Sequence, residues 1–218
     1  MIKHTFILYL LFILSQSVLG QTQIDKYISI KIPEKVQQFD TLSGNVSVSA
    51  HYSKNENDSY VILKESKVLK ENEKNVLDKD LKSLKLKYAQ IIASQIDAMS
   101  KNGFIFRDSA QIKINKFIGY KITYKDIASE NMNAESKILY LNGSTYIITY
   151  SKVKSFSEAN KNAFLNSLHI ANPDEIKQIE DKSTTSNYLN IMFQYIFPLF
   201  ILIGIVWYSR RKKRKTQM

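Results

Sequence analysis

The sequence predicts an α+β domain built on one largely antiparallel twisted sheet flanked by helices, followed by one C-terminal transmembrane helix. Three observations carry this. Period-two runs separated by turn residues fill much of residues 21–170. Residues 78–102 repeat their apolar positions at helical spacing instead. Residues 188–209 hold no charged residue and run directly into a cluster of basic ones.

The strands come first. Tyr27-Ile28-Ser29-Ile30-Lys31-Ile32 alternates and stops at Pro33, and Val46-Ser47-Val48-Ser49-Ala50-His51-Tyr52 alternates again, with His51 on the solvent side. Residues 59–68 form a less regular run, and residues 104–114 and 117–124 follow. The sharpest local signal is Asn142-Gly143, flanked by residues 136–141 and 144–150. This pair favours the type I′ hairpin turn, whose two central residues both need φ > 0. Pairing Leu141 with Ser144 sets Ile138 opposite Ile147 and, on the other face, Leu139 opposite Tyr146. Apolar residues on both faces predict a sheet covered on both sides.

Two helices supply that cover. In residues 78–102 the stripe is Leu81, Leu84, Tyr88, Ile91, Ile92, Ile96 and Met99, with Asp78 or Asp80 as N-cap and Gly103 just past the end. The second helix starts from Ser155 or Ser157, with Glu158 in its first turn and Phe156, Ala159, Phe164, Leu165 and Leu168 as packing residues. The order of strands, long helix, antiparallel strands and final helix defines the α+β class. The polar residues 171–187 read as a tether.

The flanking segments define a topology. Residues 1–20 have the three parts of a secretory signal: Lys3 and His4, an apolar core over residues 6–14, and Val18 and Gly20 at the positions of small residues, with cleavage before Gln21. Both a cleaved signal and an uncleaved signal anchor put residue 21 onward outside the cytoplasm, on the periplasmic side in a bacterium. The 22 residues 188–209 would span about 33 Å as a helix, enough to cross the hydrocarbon core. Pro198 removes a backbone donor and bends that helix, and Gln194 offers a polar group for contact with another helix. Trp207 and Tyr208 suit an interfacial belt, and Arg210, Arg211, Lys212, Lys213, Arg214 and Lys215 place the tail in the cytoplasm.

Ile30-Lys31-Ile32-Pro33-Glu34, the long mid-chain helix, Gly119-Tyr120-Lys121-Ile122-Thr123-Tyr124, Tyr146-Ile147-Ile148-Thr149-Tyr150 and Phe156 with Phe164-Leu165-Asn166-Ser167-Leu168 resemble the PsbP-like superfamily over about residues 27–170. The resemblance implies a twisted antiparallel sheet between helices. It also implies a non-enzymatic binding or assembly role outside the cytoplasm. The membrane helix departs from the lipid-anchored or soluble pattern of that family, and no functional residue carries over.

The net charge of +11 owes six units to the tail; without those and Lys3, 24 basic residues (31 less seven) face 20 acidic ones. The basic excess is a membrane flank, and no nucleic-acid partner is expected. With no cysteine, disulfides, thiolate metal sites and Cys nucleophiles are excluded. His51 and His169 stand without a second ligand at metal spacing, and no phosphate loop or nucleophile elbow occurs, so neither cofactor nor metal nor catalytic residue is expected. Asn45, Asn57 and Asn142 head N-glycosylation sequons that a eukaryotic secretory route would use, although an Asn- and Ser-rich chain produces such triplets by chance. Tyr120, Tyr124, Tyr140, Tyr146 and Tyr150 read as core or half-buried packing, with a ligand-facing aromatic patch as the alternative.

The functional expectation is a membrane-anchored extracytoplasmic binding or assembly module without catalytic activity. Its partners would be the lipid bilayer and a protein outside the cytoplasm or in the membrane. The alternatives are a small accessory subunit acting through its transmembrane helix, and a hydrolase with an unrecognised site. N-terminal sequencing of the purified protein should begin at Gln21; a chain starting at Met1 would refute cleavage.

Overall fold

The computed structural model describes residues 20–33, 35–69, 77–126 and 129–180. The chain divides into two compact units, 1–179 and 180–218, and the described residues belong to the first apart from Glu180. Residues 1–19 of the expected signal over 1–20, the span at 188–209 with Gln194 and Pro198, and the basic tail Arg210, Arg211, Lys212, Lys213, Arg214 and Lys215 lie outside the described residues. Among the described residues no helix is long and apolar enough to cross a membrane.

Among the described residues the architecture is α+β, with antiparallel sheets and two α-helices. The strands are β1 (Thr22–Gln23), β2 (Ile28–Ile30), β3 (Gln37–Ser43), β4 (Val46–Lys54), β5 (Asp58–Lys67), β6 (Phe104–Ile114), β7 (Phe117–Asp126), β8 (Ser129–Leu141), β9 (Ser144–Lys152) and β10 (His169–Ile170). The helices are α1 (Leu81–Lys101) and α2 (Glu158–Leu165). Seven strands form a sheet in the order β3-β4-β5-β9-β8-β7-β6, and β1-β2-β10 form a small second sheet.

The β8–β9 hairpin forms as the turn chemistry demands. Asn142 and Gly143 take φ of 49° and 82°, and the register pairs Leu141 with Ser144, Ile138 with Ile147 and Leu139 with Tyr146. β8 starts at Ser129, well before the expected Ser136, and its pairing with β7 accommodates the polar stretch through register shifts at Tyr124, Lys125 and Asp126. β3 has no alternation to betray it, because all seven of its residues are exposed.

α1 starts at Asp80, whose carboxylate accepts from the Ser83 amide at 2.8 Å while the Ser83 hydroxyl reciprocates to the Asp80 amide at 3.1 Å. Gly103, at φ 84°, turns the chain out of the helix. The helix packs Leu84 and Tyr88 on Ile122, Tyr124, Ala134, Ile138, Tyr140 and Ile147. Leu81 departs from the expected stripe, lying 45% exposed, and Gln95 is buried in its place. The opposite face holds two clusters. Ile30, Ile32, Tyr60, Ile62, Ile148 and Tyr150 meet Phe164 and Leu165 of α2, while Ile28, Leu139, Leu141, Tyr146, Ile170 and Ile176 join the small sheet to the large one. The sheet is thus covered on both faces, by α1 on one and by α2 with the three-stranded sheet on the other.

Three expectations need correction. His51 is buried, because it shares the face of its β5 partner Ile62, while Val46, Val48, Ala50 and Tyr52 are only half-buried. In α2 Lys161 is buried where Ala159 was expected to pack, since Lys161 ion-pairs with Glu135 of β8. The tether does not begin at residue 171, because Ile176 is buried and Ile179 bridges to Asp78.

That C-terminal segment closes a gap in the ladder. The pairing of β7 with β8 ends at Gly119 and Leu139. Beyond it the Tyr88 hydroxyl donates to the Ile118 carbonyl at 2.6 Å and accepts from the Tyr140 amide at 2.9 Å. Gln178 accepts from the Ile118 amide at 2.9 Å and donates to the Ile118 and Tyr140 carbonyls at 2.7 and 3.0 Å. Tyr88→Phe should lower stability by about 1–3 kcal/mol, since it leaves a buried N–H and part of a carbonyl unpaired. Chemical denaturation checks this, and an unchanged midpoint would show that the hydroxyl is dispensable.

Candidate functional site

Alternation along β5 and β9 puts Lys64 opposite Tyr146 and Ser66 opposite Ser144 on the face that carries the small sheet. The turn between β1 and β2 crosses this end of the face and lowers Asp25 onto it. The result is a cleft of about 660 Å³, lined by Asp25, Lys26, Tyr27, Lys64, Ser66, Leu77, Asn142, Ser144, Tyr146 and Glu175.

Asp25 is its centre. One carboxylate oxygen accepts from the backbone amides of Tyr27 and Ile28 at 2.8 and 2.9 Å, the local pattern by which Asp stabilises a turn. The other accepts from the Tyr146 hydroxyl at 2.6 Å and from the Lys64 ammonium at 2.8 Å. Burial opposes ionisation of this carboxyl, but the Lys64, Tyr146 and backbone donors outweigh it and hold Asp25 below the ordinary carboxylate value. The Tyr146 phenol moves the other way: burial first, then its bond to the Asp25 carboxylate, raise it far above ordinary tyrosine. Above the pair, Ser66 and Ser144 share a hydroxyl hydrogen bond of 2.8 Å, and Lys26 lies 4.5 Å from the centre of the Tyr27 ring.

Chemically the cleft offers hydrogen-bonding and charged groups held in a fixed arrangement. A general base needs a carboxylate with an open lone pair and a value near the working pH, and the Asp25 carboxylate accepts from four donors and is shifted away from neutrality. What the cleft presents outward is a mixture of ammonium, hydroxyl, amide and carboxylate groups from Lys26, Ser66, Asn142 and Glu175.

Two other polar clusters lie on the same face of the sheet. Asp58, fully buried, accepts from the Tyr60 hydroxyl at 3.3 Å, from Asn160 of α2 at 2.7 Å and from the Tyr150 hydroxyl. Tyr150 in turn accepts from the Ser157 amide at 3.1 Å, which fastens the start of α2 to β9. Burial, and then the Asp58 carboxylate, raise the Tyr150 phenol. Lys161 reaches Glu135 at 3.3 Å and Glu158 at 2.6 Å; burial works against its charge, yet these carboxylates raise it above ordinary lysine. Both clusters tie elements together and neither opens onto the cleft.

Of the tyrosines singled out in the sequence, Tyr124, Tyr140, Tyr146 and Tyr150 are buried in packing positions and Tyr120 is half-buried against Tyr88, with ring centres 4.9 Å apart. Burial pushes the Tyr124 phenol up to about 12. Only Tyr146 adds a polar contact to the cleft. His169 is exposed on β10 and far in sequence from His51, and among the described residues no group of three or more His, Cys, Asp or Glu is placed to hold a metal ion. Asn45 and Asn57 are exposed, while Asn142 is occupied by the Lys177 amide, which it accepts at 2.9 Å. The Asp25 site went unread because its members are separated by up to 121 residues. The one local signal was an Asp two residues ahead of a strand-forming run.

No family model matches the chain, and no curated protein matches it. Among solved structures, the solution structure of cyanobacterial PsbP (CyanoP) from Synechocystis sp. PCC 6803 is similar, with 12% identity and a TM-score of 0.43, over 68% of this chain and 89% of that one.

Because folding lowers the Asp25 value, the ionised carboxylate is favoured by the folded state. Its stabilisation is complete above the ordinary value of 3.8 and is lost as pH falls through the lower folded value. Asp25→Asn should therefore be less stable than wild type at neutral pH, with the gap narrowing in strong acid. Thermal unfolding of both proteins across that range checks it; a gap independent of pH would mean that the carboxylate's charge contributes nothing.

Proposed function

We propose that the chain is a non-catalytic binding module held at the outer face of a membrane, recognising a polar partner in the Asp25 cleft. The observation that supports recognition over chemistry is the saturation of the Asp25 carboxylate by the Tyr27 and Ile28 amides, the Tyr146 hydroxyl and the Lys64 ammonium. A group so fully engaged is pre-organised, and its surroundings offer a fixed set of donors and acceptors to a visitor at little cost in ordering. The anchoring part of the reading rests on the uncharged residues 188–209 and the basic run after them. The partner it best suits is a protein segment with charges of both signs, since Lys26 and Glu175, exposed and of opposite charge, both line the cleft.

Charge reversal at these two residues tests the reading. Lys26 and Glu175 are both exposed, so Lys26→Glu with Glu175→Lys should leave the unfolding temperature unchanged. Crosslinking and affinity capture from intact membranes should then lose the partners held by the wild-type chain. Full retention would place recognition elsewhere. A chimaera that carries residues 188–218 beneath an unrelated outer domain identifies that place if it retains the partners.

A further inference from the structure

The two edges of the seven-stranded sheet are built differently. β6 carries a bulge between Phe106 and Asp108 and presents Arg107, Asp108 and Lys113, devices that keep an edge strand from pairing. β3 has no bulge and fewer charges. It runs in unbroken register against β4, every residue is exposed, and its single charge is Asp40. Phe39 and Leu42 are 58% and 65% exposed. Phe39 also continues the row of Ala50 and Leu63 out to the rim of the sheet.

The turn decides which backbone groups are free. Ser43 and Val46 close a two-residue turn led by Gly44 at φ 61°, the arrangement in which the flanking pair exchanges both hydrogen bonds. Alternation then turns the N–H and C=O groups of Thr41 and Phe39 toward β4, and those of Gln38, Asp40 and Leu42 outward.

We propose that the β3 edge pairs antiparallel with the β3 edge of a second copy, joining two sheets across a two-fold axis at Phe39. In this register Phe39 faces Phe39 of the second copy, Gln38 faces Asp40, and Val36 faces Leu42. Gln38 and Asp40 of each copy are an outward-bonding pair, so their backbones exchange hydrogen bonds, and the Gln38 carboxamide meets a carboxylate. The same chemistry already occurs within the strand, where the Gln38 amide donates to Asp40 at 3.1 Å. The neighbouring registers are worse, and centring on Gln38 sets Val36 against the Asp40 carboxylate. Centring on Asp40 sets two carboxylates face to face, and centring on Thr41 sets Asp40 against Leu42. Phe39 meets its counterpart on the axis and every other contact of this register occurs twice, as an isologous interface requires. The pairing does not depend on the membrane segment.

The chain contains no cysteine, so single cysteines report this register directly. Residue 39 forms a non-hydrogen-bonded cross-strand pair with its counterpart, about 4.5 Å apart at Cα and within disulfide reach. Residue 41 lies about four residues, roughly 13 Å, from its own counterpart and beyond reach. The full-length chain in detergent, mildly oxidised, should form a disulfide-linked dimer as Phe39→Cys and stay monomeric as Thr41→Cys. Equal crosslinking of both, preference for Thr41→Cys, or crosslinking of neither would overturn the proposal. Phe39→Lys, at an exposed position, should keep the wild-type unfolding temperature and halve the mass measured by light scattering; a dimeric Phe39→Lys would equally overturn it.

Discussion

Where β7 and β8 separate beyond Gly119 and Leu139, each backbone would leave polar groups facing no partner, and the protein fills that gap with side chains from two distant elements. The Tyr88 hydroxyl from α1 and the Gln178 carboxamide from the C-terminal segment take the bonds of Ile118 and Tyr140. A buried amide or carbonyl without a partner costs more than an ordinary hydrogen bond contributes, so this junction constrains its surroundings more than its size implies. It fixes the rotation of α1, because Tyr88 must point into the sheet and brings Leu84 with it. It also fixes the course of residues 171–179, with Ile176 buried beneath and Lys177 bonded to the Asn142 turn.

The opposite face is organised by charge inside a largely apolar surface. Asp25, Asp58 and the Glu135–Lys161 pair each sit at the meeting of two or three elements, and each is surrounded by donors or by an opposite charge. Such groups are expensive to bury and intolerant of misplacement, so they select one docking of the small sheet and of α2 over others that the apolar contacts alone would permit. The same property shapes the cleft. The Asp25 carboxylate at its floor is already neutralised within the fold, which leaves Lys26 and Glu175 as the exposed charges of the cleft. β3, by contrast, lies outside these constraints, and its exposed edge is where the sheet can still be extended.

Much of the fold was legible in local chemistry. The Asn142-Gly143 turn set the hairpin register to the residue, because a type I′ turn and the alternation of side chains leave no freedom once the loop length is known. Gly103 and one of each pair of candidate caps, Asp80 of Asp78 and Asp80 and Ser157 of Ser155 and Ser157, marked helix boundaries for equally local reasons, and the strand runs at residues 46–52, 104–114 and 117–124 all became strands. β3 was not legible, since a strand exposed on every side carries no hydrophobic period. The burial of His51 was misread for a related reason: alternation tells which residues share a face but not which face the rest of the chain covers.

The sequence by itself determined the class of the domain and the hairpin, narrowed each helix start to two residues and set the expected position of a membrane segment, since turn conformation, capping and hydrophobic period act over a few residues. Tertiary structure alone decided that Asp25 meets Lys64 and Tyr146, that Tyr88 and Gln178 close the β7–β8 gap, and that Lys161 is buried against Glu135. Those contacts join residues tens of positions apart. A polar side chain carries no local sign of whether its partner will be water or another part of the same chain; that is settled only when distant elements pack and exclude the water between them.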